Sequence, residues 1–498
     1  MKIQISFMLA TSVLMSGCAN FIPDYARPEA PVNTQWPVDE SKQTYSIYQT
    51  GDPSNSVNSP PRAFVPSVSP YSDWRNFVTN DKIKSVVDLA LSNNRDVRIA
   101  VLNILRAEAQ YGIQRANLFP NLELSAGGTN QRLPENASNG NSTINRQYSV
   151  DLGITNYEID FWGRISSLEK QALEEYLATV EGRRNTQLSL VSSVIEAYLT
   201  LMTDENLLRL ANETLISQQR SLDLTLKSFN NGVATGLDVA QAKTTVATAL
   251  KDVARFTSQV NVDKNALNAL VGATVPIHLL PQAGDSNRFA PVYVGMPSDV
   301  LLQRPDILEA EHQLIAANAN IGAARAAYFP TISLTATGGL LSASASDLFS
   351  GDSRSWAFNP ALNLPIFNWG ELDSRRDVAI ADQQIALNNY EKAIQTAFRE
   401  VADALANQAT LKDQVTAQQM LVDATGDSFR LSNLRFNEGV DDYFTVLDSQ
   451  RSYYTAQQEL LTTKLSKELN LLTLYKVLGG GWVETDVPMP TTLSVNEN

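Results

Sequence analysis

The chain has 498 residues, a formal net charge of −14, 18% charged residues and 43% hydrophobic residues. That length admits two or more domains or one large elongated body. The acidic balance excludes the basic surface of a nucleic-acid-binding protein and a polybasic membrane-surface patch.

Residues 1–17 read as a lipoprotein signal peptide. Lys2 supplies the positive start, and Ile3 to Met15 is a mostly apolar segment too short to span a bilayer. Met15-Ser16-Gly17-Cys18 resembles a bacterial lipobox, which predicts diacylglycerol and an N-acyl chain on Cys18. Cys18 is the only cysteine, so no intrachain disulfide can form. Ala19 stands where inner-membrane retention commonly uses aspartate, and by that resemblance the destination is the outer membrane. No later stretch has the eighteen or so apolar residues of a transmembrane helix. A mature chain that spans a membrane must do so with strands.

Residues 18–80 are rich in Pro, Ser and Asn and predict a lipid-anchored, extended arm packed along the body. Two similar halves follow. Residues 81–272 begin with a helical pattern, Asp81 to Leu118, ending at Phe119-Pro120. Strands are predicted at Asn121–Leu133 and Gln147–Phe161. In the second, the apolar set Val150, Leu152 and Ile154 changes parity to Tyr157, Ile159 and Phe161, which predicts a bulge. Trp162-Gly163 opens a long helix to about Asn230, and a returning helix, Leu237–Leu270, stops at Gly272. Residues 273–296 form a linker, placed in the equatorial region of the body.

Residues 297–479 repeat this order: a helix from Pro297 to Tyr328, Phe329-Pro330, strands at Ile332–Leu340 and Trp356–Ile366, and Trp369-Gly370. A second long helix then runs to Asn437 and returns as Tyr443–Leu478. Residues 480–498 are a polar tail. The halves lie at a nearly constant offset: 369 − 162 = 207, 436 − 229 = 207 and 330 − 120 = 210. A fixed offset points to an internal two-fold repeat. Apolar residues at spacings of 4, 3 and 4 (Leu190, Val194, Ala197, Leu201; Ile394, Phe398, Val401, Leu405) make the long helices coiled-coil. Each long helix matches two shorter ones end to end, which predicts a helical wall with strands at one end and turns at the other.

The turns are the chemically distinctive stretches. Phe229, Asn230, Gly232 and Val233 return as Phe436, Asn437, Gly439 and Val440. Only the second is followed by an acidic collar, Asp441 and Asp442, which can cap the next helix. Asp238, in the first turn, is read as a cap. Asp448 and Arg451 are one helical turn apart and can share a face. Catalysis finds little support: there are two histidines, His278 and His312, and no phosphate loop or nucleophile arrangement. Glu309 and His312 at i, i+3 lack the second Glu-x-x-His of a di-metal site, so a polar interhelix contact is expected and no metal or other cofactor. Asp306, in Arg304-Pro305-Asp306, is expected to cap a helix or pair with an arginine.

Four strands cannot close a barrel, and open edges in lipid leave backbone groups unsatisfied. Several chains must share one barrel: two would fill the lumen with side chains, and three would leave it open. The residues leave that choice open.

Several stretches resemble the TolC-like outer-membrane efflux lipoproteins. They are the two Phe-Pro sites, residues 304–307, 309–312 and 317–330, ValLeuAspSerGlnArg at 446–451 and LeuGlyGlyGlyTrp at 478–482. The resemblance implies a mixed α/β membrane protein: a homotrimer with a twelve-stranded transmembrane β-barrel and a long coiled-coil α-helical barrel. It implies outer-membrane location with a body extending into the periplasm, and the role of a passive exit duct for an efflux pump. The implied partners are a periplasmic adaptor protein and an inner-membrane resistance-nodulation-division transporter. It further implies a periplasmic gate of Phe444, Asp448 and Arg451, to which Asp441 and Asp442 add charge. The tips at Asn230, Gly232, Asn437 and Gly439 are the implied adaptor contacts. A type I secretion channel and a coiled-coil scaffold lipoprotein are the alternatives; the alternating strands weigh against the scaffold.

Overall fold

The computed structural model describes residues 20–36, 73–134, 136, 143–282, 289–290, 292 and 298–480. Cys18, most of the arm and the tail beyond Gly480 lie outside these residues. In order the helices are α1 (Trp74–Phe77), α2 (Asp81–Asn93) and α3 (Arg95–Ala116), followed by strands β1 (Leu122–Leu133) and β2 (Thr143–Ile159). Then come α4 (Arg164–Asn230), α5 (Gly236–Val271), α6 (Pro305–Ala326), β3 (Thr331–Ser342), β4 (Arg354–Asn363), α7 (Glu371–Asn437) and α8 (Tyr443–Val477). Helices α4 and α7 have 67 residues each, about 100 Å at 1.5 Å per residue.

The described residues divide into two compact units. One draws on the described residues within 1–29, 102–180 and 308–391; the other on those within 30–101, 181–307 and 392–498.

The first unit holds an antiparallel sheet of order β1-β2-β3-β4. Its register aligns Leu124, Leu152, Gly338 and Trp356 in one row, and Leu122, Ile154, Ala336 and Phe358 in the next. The intervening rows carry Ser125, Asp151, Gly339 and Ser355. One face is therefore apolar across all four strands and the other polar or small, as period two requires. The apolar face is open: Leu124 is 73% exposed and Trp356 81%. The register shifts between Ile154 and Tyr157, where Asn156 takes φ 52°; this is the bulge that the change of parity predicts. Strand β4 stops at Asn363 and does not reach Ile366. Its last partner is Thr331, the first residue of β3, and Pro365 lacks an N–H to donate. In the same unit Phe21 stacks on Phe329 at 4.7 Å, and Arg27 pairs with Glu311 of α6. His312 Nδ1 lies 2.7 Å from Glu174 Oε2, and Lys170 Nζ 2.5 Å from Oε1 of the same carboxylate. This is the polar interhelix contact expected of His312.

The second unit holds the main apolar core. Trp74 and Phe77 are fully buried, and Phe77 stacks between Phe289 (4.7 Å) and Tyr475 (4.1 Å). Residues 74–78 are thus core, a correction to an arm extending to residue 80; the prolines before them masked a short helix capped by Asp73. The helix read as Asp81–Leu118 is two helices. Asn94 is extended (ψ 135°), its Oδ1 accepts from the N–H groups of Asp96 and Val97, and its Nδ2 donates to the Leu270 carbonyl. Likewise a 3-10 turn, Ser298–Gln303, precedes α6. Arg304 explains the Arg-Pro-Asp motif. Its guanidinium donates to Asp306 (3.0 and 2.8 Å), to Glu400 of α7 (3.0 Å) and to the Val477 carbonyl ending α8 (2.8 Å).

Candidate functional site

Hairpins α4–α5 and α7–α8 close with the same backbone turn. Gly232 and Gly439 take φ 75° and 73°. Their N–H groups bond the carbonyls of Phe229 and Phe436, while Val233 and Val440 bond those of Ser228 and Arg435. Bonds from the residue after the left-handed glycine back across the last turn define the Schellman stop. Asn230 and Asn437 are the last helical residues. The glycines therefore recur because the left-handed turn needs them, whereas Phe229 and Phe436 lend it only their backbone carbonyls.

The side chains differ. In the first turn Thr235 caps α5 and Asp238 answers it in a capping box, its Oδ2 accepting from the Thr235 N–H at 2.7 Å. Asp238 is thus the third helical residue of the box, and the cap itself is Thr235. In the second turn Asp442 is the cap, accepting from the Thr445 N–H (3.0 Å) and Oγ1 (2.7 Å). Those bonds hold the Asp442 carboxyl below its ordinary pKa. Asp441 faces back and forms a two-pronged pair with Arg435 (2.7 and 2.8 Å), which lowers its pKa too. Asp448 and Arg451 form an ion pair at 2.5 Å, with side chains 51% and 77% exposed.

Phe444, Asp448 and Arg451 line one cleft of about 340 Å³ between α8 and the α4–α5 hairpin. Asp441 and Asp442 are not among its lining residues. The structure thus brings together three of the five residues named for a gate and gives the other two local bonds at the turn.

Three residues that sequence reasoning missed fasten α8 beside this cleft. Tyr443, Gln450 and Tyr454 recur at spacings of 7 and 4, one helical face. Gln450 is 6% exposed and donates to Ser217 Oγ at 3.3 Å. Tyr454 Oη donates to Asp252 Oδ2 at 3.4 Å, and Asp252 is 7% exposed. Burial, then the Asp252 charge, push the Tyr454 phenol up to about 12, so it stays a donor at neutral pH. Tyr443 packs with Ala242 and Val446. The 7-and-4 spacing was a usable signal, but it reads equally as core. Nothing in the sequence marks Asp252 as buried.

Farther along the first hairpin, Asp204 of α4 faces Asp263 of α5. Burial and the neighbouring carboxyl raise Asp204 to about 7. Asp263 is 9% exposed; its Oδ1 accepts from Gln259 at 3.0 Å, and its Oδ2 has no donor. A neighbouring carboxylate disfavours the charged form of Asp204.

Comparisons with known proteins agree with this geometry. The family model described as "Outer membrane efflux protein" matches residues 86–273 and 296–480. The chain is 44% identical over 479 residues to the antibiotic efflux pump outer membrane protein ArpC of Pseudomonas putida, covering 96% of this chain and 95% of the relative. The toluene efflux pump outer membrane protein TtgC, also of Pseudomonas putida, shows the same identity and coverage. Among solved structures, the open state of the Neisseria gonorrhoeae MtrE outer membrane channel superposes with a TM-score of 0.80 at 34% identity. That match covers 93% of this chain and 98% of the other.

Proposed function

Because the chain belongs to the outer membrane efflux protein family, we propose that three copies share one twelve-stranded barrel and that the α7–α8 tips gate it. The chain is an outer-membrane component of an efflux pump, the exit duct of a tripartite system. The single observation that carries the assembly is the four-stranded sheet, apolar on one face, whose strands β1 and β4 each leave one edge unpaired among the described residues. No described helix is long and apolar enough to cross a membrane. Unpaired strand edges in lipid are too costly to persist, so copies must close the sheet on one another. Twelve strands leave an open lumen, which a duct needs.

The partners of such a duct are a periplasmic adaptor, which meets the tips at Asn230, Gly232, Asn437 and Gly439, and an inner-membrane resistance-nodulation-division transporter, which supplies the energy. The relatives' names, antibiotic and toluene efflux, support small toxic compounds as cargo and favour a pump over protein secretion. The duct catalyses nothing and needs no cofactor; it conducts. Cys18 carries the lipid, and intact-mass measurement of the mature N-terminus should show it acylated.

At the gate, three copies of Asp448 and Arg451 form rings of charge that favour cations, with the ion pairs holding the ring shut. Phe444 adds bulk, and Asp441 and Asp442 shape the turn that presents them. Native mass spectrometry in detergent, with conductance in planar bilayers, tests the assembly. Three copies with low, cation-selective conductance are expected; a stable monomer that does not conduct would contradict it.

A further inference from the structure

The sheet meets the helices at two similar corners in each chain. At the first, Trp162-Gly163 follows the end of β2 at Ile159 and lies beside Phe329-Pro330, which lead into β3 at Thr331. The Trp162 ring stacks on Phe329 with centroids 4.8 Å apart, and its Nε1 donates to the Pro330 carbonyl at 2.8 Å. This contact clips neighbouring strands of the two halves together at the foot of the sheet.

At the second corner, β4 ends near Trp369-Gly370, and no described strand of the same chain lies beyond it. Trp369 is 89% exposed and Phe367, its edge-on neighbour at 4.6 Å, is 73% exposed. Gly163 and Gly370 share the left-handed conformation, at φ 70° and 82°. Trp369 itself sits at φ 54°, a conformation bulky side chains rarely adopt. At the opposite edge of the sheet the start of β1 shows the converse. Phe119 is 63% exposed and, with Pro120 and Ile113, lines a cavity of about 860 Å³. One edge presents a ring without a seat, and the other a seat without a ring.

Closing the sheet by symmetry brings them together. Strand directions alternate, so β4 of one copy must run antiparallel to β1 of the next. That pairing sets the end of β4 beside the start of β1, as the end of β2 lies beside the start of β3 within a chain. The residues correspond: 369 − 162 = 207, and 329 − 119 = 330 − 120 = 210.

We propose that Trp369 of one copy stacks on Phe119 of the next and donates its indole N–H to the Pro120 carbonyl. The contact repeats between chains the Trp162–Phe329–Pro330 clip within a chain. The assembled barrel then carries six clips, three internal and three between copies. The arm adds an asymmetry, because Phe21 takes a second place on Phe329 at 4.7 Å.

This inference rests on the trimeric reading, and its test separates the two. A photoreactive benzoylphenylalanine replaces Trp369 in the full-length protein, and, as a control, Trp162. Native mass spectrometry counts the copies before irradiation. The expected result is covalent dimers and trimers from position 369, with cross-linked peptides joining it to residues 113–121. Position 162 should give only cross-links within one chain, to residues 329–330. A trimer whose position 369 cross-links elsewhere, or not at all, overturns the clip and leaves the trimer standing; a monomer overturns both. W369A should dissociate at least tenfold faster than wild type in heated detergent. W369F, which keeps the stacking and loses the N–H, should fall between. Equal rates for W369A and wild type would also overturn the clip.

Discussion

The two helical hairpins share a backbone and differ in where they place charge. In α7–α8 the charge sits at the tip: half-buried Asp441 with exposed Arg435, and Asp448 with Arg451, both exposed. Offset by 207, the counterparts of Asp448 and Arg451 in α4–α5 are Gln241 and Thr244, both neutral and lining the same cleft. Away from the tips the pattern reverses. Half-buried Asp204 and buried Asp263 form a carboxyl pair in the first hairpin, and their counterparts are Leu411 and Asn470. Asn470 is satisfied by the Ala404 carbonyl (3.0 Å) and Gln408 (3.1 Å). The shared glycines are those a Schellman turn requires. The differing residues place exposed ion pairs at one tip and a carboxyl pair, with Asp204 raised to about 7, along the other hairpin.

The largest test of this contrast is in cells. An exposed ion pair contributes roughly 0–1 kcal/mol. Three copies acting together reach a few kcal/mol, and about 1.4 kcal/mol already changes a population tenfold. D448A/R451A should therefore sensitise cells to large antibiotics such as vancomycin by tenfold or more. Q241A/T244A, which removes no charge, should stay within about twofold. Equal sensitisation would mean that the cleft matters and the charge does not.

The carboxyl pair comes next. Asp204 holds its proton to about pH 7 in the folded chain, whereas an unfolded aspartate releases it near pH 3.9. The folded state binds more protons in that window, so stability falls as pH rises from about 4 to about 7. D204N removes this loss. It should raise the thermal midpoint at pH 7.5, by on the order of 1–3 kcal/mol in stability, and leave it nearly unchanged at pH 4. L411N, at the matching position of the second hairpin, should show no such pH dependence.

A smaller effect tests the shared backbone itself. Gly232 and Gly439 sit at φ 75° and 73° with open space where a Cβ would go. G232A and G439A should each cost about 1–2 kcal/mol from the left-handed conformation alone, and equally. Unequal costs in thermal unfolding would show that the two turns are not the same structure. The smallest effect is at Asp441. R435A should return its carboxyl toward the ordinary aspartate range, seen by NMR titration. The pair's contribution is present above that range and is lost as pH falls through the lowered folded value.

Much of this arrangement was legible because it is periodic. The long helices run Arg164–Asn230 and Glu371–Asn437, close to the limits set by the two Trp-Gly pairs and the Asn-x-Gly turns. The bulge was visible in the change of parity after Ile154. What stayed hidden depends on contacts made at a distance. The break at Asn94 is held by the Leu270 carbonyl, 176 residues away. The seventeen described arm residues, 20–36, include Phe21 and Trp36, which stack on Phe329 and Phe398, and no local pattern foretells such partners. At the site, Asp448 and Arg451 stood out by spacing, whereas Asp252 and Asp204 are single acids on otherwise ordinary helices. Their burial comes from the neighbouring helix and leaves no trace in their own.

The central claim is that the Asp448–Arg451 rings, and not the shared turn, hold the duct shut. Single-channel recording in planar bilayers compares wild type, D448A/R451A and Q241A/T244A at the same salt. The account predicts that D448A/R451A alone raises conductance or open probability at least tenfold and weakens the cation preference. Unchanged conductance and selectivity in D448A/R451A, with native mass spectrometry still showing three copies, would contradict it and move the closed ring elsewhere along α8.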